Sequence, residues 1–218
     1  MEEKKKLNIR IPKYSLGEEL FNSISHGIGA ALSIVALVLM VVKAHNPLPE
    51  TTVSLFGSGM IILYTISCIY HALSPNLEGK KVLRVIDHCD VFLLVFATYI
   101  PVALLGVGGS LGWILFGVVC FFTVLGIVLT CVSMEKFKIL SVICHLINGW
   151  SILFGASKLL DTMGTKGFVY LVLGGVAYTL GSILYGVGSR VKHMHCVFNV
   201  FCMLGTFFHF WAVYWYLI

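Results

Sequence analysis

A chain of 218 residues that is 58% hydrophobic and only 11% charged has too few polar side chains to clothe a soluble globule, so its surplus apolar surface needs lipid. The formal net charge of +5 does not point to a nucleic acid partner, because the basic residues are scattered in short loops between apolar runs. The seven cysteines (Cys68, Cys89, Cys120, Cys131, Cys144, Cys196 and Cys202) lie in or beside those runs without a Cys-x-x-Cys pair and suggest no extracellular disulfide framework.

The first twenty residues are polar and basic, and the apolar stretch after them is too long for a cleavable signal. Residues 1–20 are therefore expected to form a cytoplasmic segment and residues 21–218 a transmembrane domain. Measured against the ~20 residues that cross a bilayer, the apolar runs predict spans at 22–42, 53–73, 87–107, 111–132, 137–157, 167–188 and 195–217. The fold class is thus an all-α bundle of seven transmembrane helices. Turn chemistry separates the spans at Asn46 and Pro47, Pro75 to Gly79, Gly106 to Gly109, Met134 to Lys138, Asp161 to Gly167 and Gly188 to Lys192.

Twelve cations fall on the N-terminal side: Lys4, Lys5, Lys6, Arg10, Lys13, Lys80, Lys81, Arg84, Lys136, Lys138, Arg190 and Lys192. Only Lys43, Lys158 and Lys166 fall on the other. Cytoplasmic loops are enriched in Lys and Arg, so this asymmetry predicts a cell-membrane protein with its N-terminus inside and its C-terminus outside.

Polar residues within the spans are costly and usually face the bundle interior. Residues three, four and seven apart share a helix face. In span one that face holds Glu19, Asn22, His26, Gly29 and Ser33. Ser67 and His71 close span two, Asp87 and Asp90 open span three, and Thr98 lies further along it. Spans five and six contribute Ser141, His145 and Asn148, then Tyr178, Ser182 and Tyr185. Span seven carries a stripe of His195, Asn199, Cys202, Thr206 and His209. Turned inward, these stripes enclose a wet or ligand-filled cavity opening toward the cytoplasm. His71, Asp87 and His195 share one depth, and their imidazole and carboxylate groups are common zinc ligands. His209 lies ~21 Å beyond His195 at the standard helical rise, which makes it an interior packing histidine instead.

In this order, the residues resemble the hemolysin III family of the progestin and adipoQ receptor superfamily. Glu19-x-x-Asn22 followed by Ser25-His26-Gly27 is similar to the family's first-span motif, and Ser67-x-x-x-His71 to its second. Ile86-Asp87-His88, Thr98-Tyr99-x-Pro101, His195, Gly205-Thr206 and His209-Phe210 continue the match nearly end to end. The resemblance implies zinc held by a span-two histidine and two span-seven histidines four residues apart. By position these are His71, His195 and residue 199, with Asp87 beside the bound water and Ser67 alongside. Position 199 is Asn199, so one imidazole is missing. The set is then completed by Asp87 itself, by Cys202 or by His26, or else the site has become a polar core without metal.

Three functions follow from the resemblance. The first is a zinc-dependent hydrolase of lipid amides or esters, with Asp87 as base and Ser67 as oxyanion donor, so that membrane lipids and a lipid-like substrate are the expected partners. The second is a pore-forming cytolysin, which a chain retained in its own bilayer fits less well. The third is a sensor or receptor that uses the same cavity.

Overall fold

The structure is a computed structural model that describes residues 9–188 and 191–218. Lys4, Lys5, Lys6 and Arg190, counted above for orientation, lie outside the described residues, as does the centre of the Gly188 to Lys192 turn.

Helix α1 (Leu16–Lys43) starts from a capping box: Ser15 Oγ accepts the Glu18 amide while the Glu18 carboxylate accepts the Ser15 N–H at 2.8 Å. Helix α2 (Pro47–Ala72) places Pro47 in its first turn, where a missing N–H costs nothing. Helix α3 (Glu78–Pro101) continues past its proline as a π-helical turn over Val102–Val107. Helix α4 spans Gly109–Ser133 and α5 spans Lys138–Trp150, followed by a 3₁₀ turn over Ser151–Gly155. Helices α6 (Ala156–Gly188) and α7 (Met194–Tyr216) complete the chain.

Among the described residues, six helical stretches are long and apolar enough to cross a membrane. One of them, Lys138–Tyr185, has 48 residues, roughly 72 Å if straight against a hydrocarbon core of about 30 Å. It is not straight. Gly164 leaves the helical region at φ 66° and ψ 175°, a conformation that favours glycine. Trp150 Nε1 donates to Thr179 Oγ1 at 3.1 Å, although a straight helix would hold those two residues about 43 Å apart. The stretch therefore folds back near Gly164 as two antiparallel segments. The predicted break at Asp161 to Gly167 narrows to that glycine.

Hydrophobicity is arranged inside out, as lipid requires. On α1, Ile28, Leu32, Val35, Leu39 and Val42 form an exposed apolar stripe, while Asn22, His26, Gly29 and Ser33 on the other face are buried. The protein is thus a multi-pass α-helical membrane protein. Packing runs from α1 to α2, α3, α4 and α5 in turn, with α6 on α7 and α7 back on α1. At the end away from the N-terminus, Lys43 donates to the Tyr214 carbonyl and lies 4.5 Å from the centre of its ring.

Candidate metal centre and cavity

The last turn of α2 and the first turns of α1 and α7 meet at the N-terminal end of the bundle. His71 and His195 are both buried there, with their Nε2 atoms 3.4 Å apart. His71 Nδ1 lies 2.6 Å from Glu19 Oε2. A carboxylate only accepts, so Nδ1 carries the hydrogen, and in the neutral ring Nε2 then holds its lone pair toward His195. The 3.4 Å gap is long for a hydrogen bond. It fits two ligands of one tetrahedral zinc, whose ~2.0–2.1 Å bonds set nitrogens about 3.4 Å apart. The carboxylate behind His71 is also the usual support of a metal-bound imidazole.

Glu19 has a second partner. Lys80 is fully buried, with Nζ 2.5 Å from Glu19 Oε1, 2.8 Å from the Leu73 carbonyl and 5.1 Å from the centre of the Tyr70 ring. The sequence reading treats Lys80 as a loop cation. Instead α3 begins at Glu78 and turns it inward, on the face it shares with Arg84 and Asp87 at helical spacing.

The remaining predicted residues lie around this pair. Ser67 is buried one turn before His71, and Asn199 is buried one turn after His195 with its Nδ2 unpartnered among the described residues. Asp87 stands apart. It lines the cavity described below, 3.8 Å from His88 Nδ1, and no hydrogen bond or ion pair joins it to His71 or His195 among the described residues. Tyr14, just before α1, stacks on His195 at 4.9 Å and 20° between planes. Burial pushes its phenol well above the ordinary tyrosine pKa, as do Tyr70 and Tyr185, so it stays neutral.

A cavity of about 1130 Å³ opens beside His195. Tyr14, Arg84, Asp87 and His88 line one part of its wall, and Phe92, Trp150 and Leu171 another. Several polar residues along or beside it pack or hydrogen-bond within the bundle. His145 stacks on Phe92 with ring centres 3.5 Å apart, and His209 Nε2 donates to the Leu171 carbonyl at 3.2 Å. Thr206 joins three helices, lying 2.6 Å from both Tyr64 and Tyr178 hydroxyls. Tyr99 accepts from Ile152 N–H at 2.8 Å and holds the 3₁₀ turn.

Among the described residues, Glu18, His193 and Cys196 form a group able to hold a metal, with ligand atoms within 4.8 Å of one another. His193 and Cys196 stand three residues apart, a signal of this group in the sequence. The Glu18 carboxylate is already engaged: Oε1 accepts the His193 N–H at 2.7 Å and Oε2 accepts from Ser15 at 2.8 Å. It ties the start of α1 to the start of α7.

The Haemolysin-III related family profile matches residues 14–210. "Hemolysin-3" of Bacillus cereus is 30% identical over 92% of each chain. "Hemolysin-3 homolog" of Bacillus subtilis (strain 168) is 31% identical over 93% of this chain and 96% of its own length. A more distant likeness, 22% identical over 92% of this chain and 84% of the relative, is to the human "Monocyte to macrophage differentiation factor". With the match extending from the segment before α1 into the second half of α7, the chain belongs to the haemolysin-III related family.

Proposed function

We propose that this chain spans the membrane seven times with its N-terminus in the cytoplasm, binds zinc between His71 and His195, and hydrolyses an amide or ester of a lipid admitted to the adjoining cavity. The observation that carries the reading is the 3.4 Å pair of Nε2 atoms, with the far nitrogen of His71 held by Glu19. Bound zinc supplies Lewis-acid polarisation of a carbonyl and a lowered pKa for water. Glu19 fixes the His71 tautomer, and Lys80 fixes Glu19. Asp87, on the cavity wall, acts as the base that accepts a proton, and Ser67 donates to the developing oxyanion. The apolar part of the cavity accepts an acyl chain and excludes water around it.

Zinc content and turnover of a fluorescent lipid amide and ester test this in purified wild type and alanine variants. His71→Ala and His195→Ala should lose zinc and turnover together, whereas Asp87→Ala should lose turnover and keep more zinc than either. Zinc retained equally in His71→Ala and His209→Ala would refute the site. The names of the Bacillus relatives support a lytic reading as an alternative, and dye release from vesicles that is insensitive to His71→Ala would favour it. Saturable lipid binding without turnover would favour a sensor or receptor.

A further inference from the structure

The imidazole missing at Asn199 leaves the expected ligand set one short. We propose that His26 of α1 supplies the third imidazole in this chain, an inference that rests on the zinc reading above. His26 is 4% exposed, and neither ring nitrogen has a hydrogen-bond partner among the described residues. A buried polar group left unpaired is costly, so a ring with two such atoms is poorly explained as packing. Satisfied histidines in this bundle look different: His88 reaches both the Arg84 carbonyl and the Tyr185 hydroxyl at 2.9 Å.

Position supports the same assignment. The His71 and His195 ring centres are 5.3 Å apart, close to the ~5 Å expected of two imidazoles on one tetrahedral zinc. His26 lies edge-on to His71 with ring centres 6.3 Å apart, wider than that pair, so its ring must swing inward to share the ion. No hydrogen bond among the described residues holds it back. Asn22, one turn earlier on the same face, is fully buried with both amide atoms unpartnered. An ion bound by His26 engages one ring nitrogen and frees the other for such an amide, the outer hydrogen bond that metal-bound imidazoles ordinarily make.

The rivals fit less well. Asp87 lines the cavity with its side chain 14% exposed, less shut off than the unpartnered ring of His26. Cys202 lies about 10 Å beyond His195 along the α7 axis, too far for both to hold one ion without distorting the helix.

The test is X-ray absorption spectroscopy of the zinc-loaded full chain, with competitive chelator titration. Wild type should show three imidazoles and His26→Gln two, with an affinity loss larger than the roughly 10–100-fold that an outer-shell partner is worth. Asn199→His alone should change little, since the set is complete. In the His26→Gln background it should restore the third imidazole and most of the affinity, which also shows that His26→Gln folds. If His26→Gln matches wild type in imidazole count and affinity while His71→Ala loses the ion, the inference fails and the zinc reading stands. A wild-type protein that binds no zinc overturns both.

Discussion

Replacing Glu19 with Gln changes what Lys80 and His71 meet without changing the shape of the side chain. In the native protein one carboxylate oxygen lies 2.5 Å from Lys80 Nζ and the other 2.6 Å from His71 Nδ1. The ammonium only donates, so the single amide oxygen of Gln turns to Lys80, and its NH₂ then faces His71 Nδ1. Nδ1 must accept, which moves the ring hydrogen to Nε2 and removes the lone pair facing His195. Zinc affinity should fall about 10–100-fold, or roughly 1.4–2.8 kcal/mol. Glu19→Ala should cost more in stability, roughly 3–5 kcal/mol, because it leaves the fully buried Lys80 without a counter-charge. Adding Lys80→Met to Glu19→Gln frees the amide oxygen for His71 Nδ1–H, so affinity should partly recover despite the loss of two charged groups. Competitive chelator titration gives the affinities, and ¹⁵N shifts of labelled histidine report the tautomer. Wild-type affinity in Glu19→Gln, or no recovery in the double variant, would refute the reasoning.

A reporter active only in the cytoplasm should work at the N-terminus and in the link between α2 and α3, and should be silent after Ile218; activity there would mean that a span has been miscounted. Thr206→Val breaks contacts of 2.6 Å to both Tyr64 and Tyr178, and at about 0.6–1.7 kcal/mol per interhelical bond it should destabilise by roughly 1–3 kcal/mol. Thermal unfolding checks this, with Thr206→Ser keeping most of the loss at bay. A Cβ at Gly174 would stand 2.2 Å from His209 Cδ2, so Gly174→Ala should lower the unfolding temperature, and His209→Ala should relieve much of the added cost in the double variant.

The spans are legible because lipid imposes a length and an apolar surface on each. Their edges are less so: α1 and α3 begin earlier than the apolar runs, at Leu16 and Glu78, because capping and interior pairing draw polar first turns into the helix. Depth along the spans assigns His26, Ser67, His71, Asp87 and His195 one level. Depth gives height but not direction around the bundle, so it does not say that Asp87 lines the cavity wall. The Glu19 partnership was hidden for a different reason, since His71 and Lys80 lie 52 and 61 residues away from it and helical periodicity relates only positions a few turns apart. Lys80 therefore had to look like a cytoplasmic loop cation, and its burial bears on the orientation argument. As half of an internal ion pair it is not a free charge facing the cytoplasm, so it leaves the count. Eleven of the original twelve cations then remain against three, an asymmetry that still favours an inside N-terminus, because no plausible reassignment of one interior lysine reverses its sign.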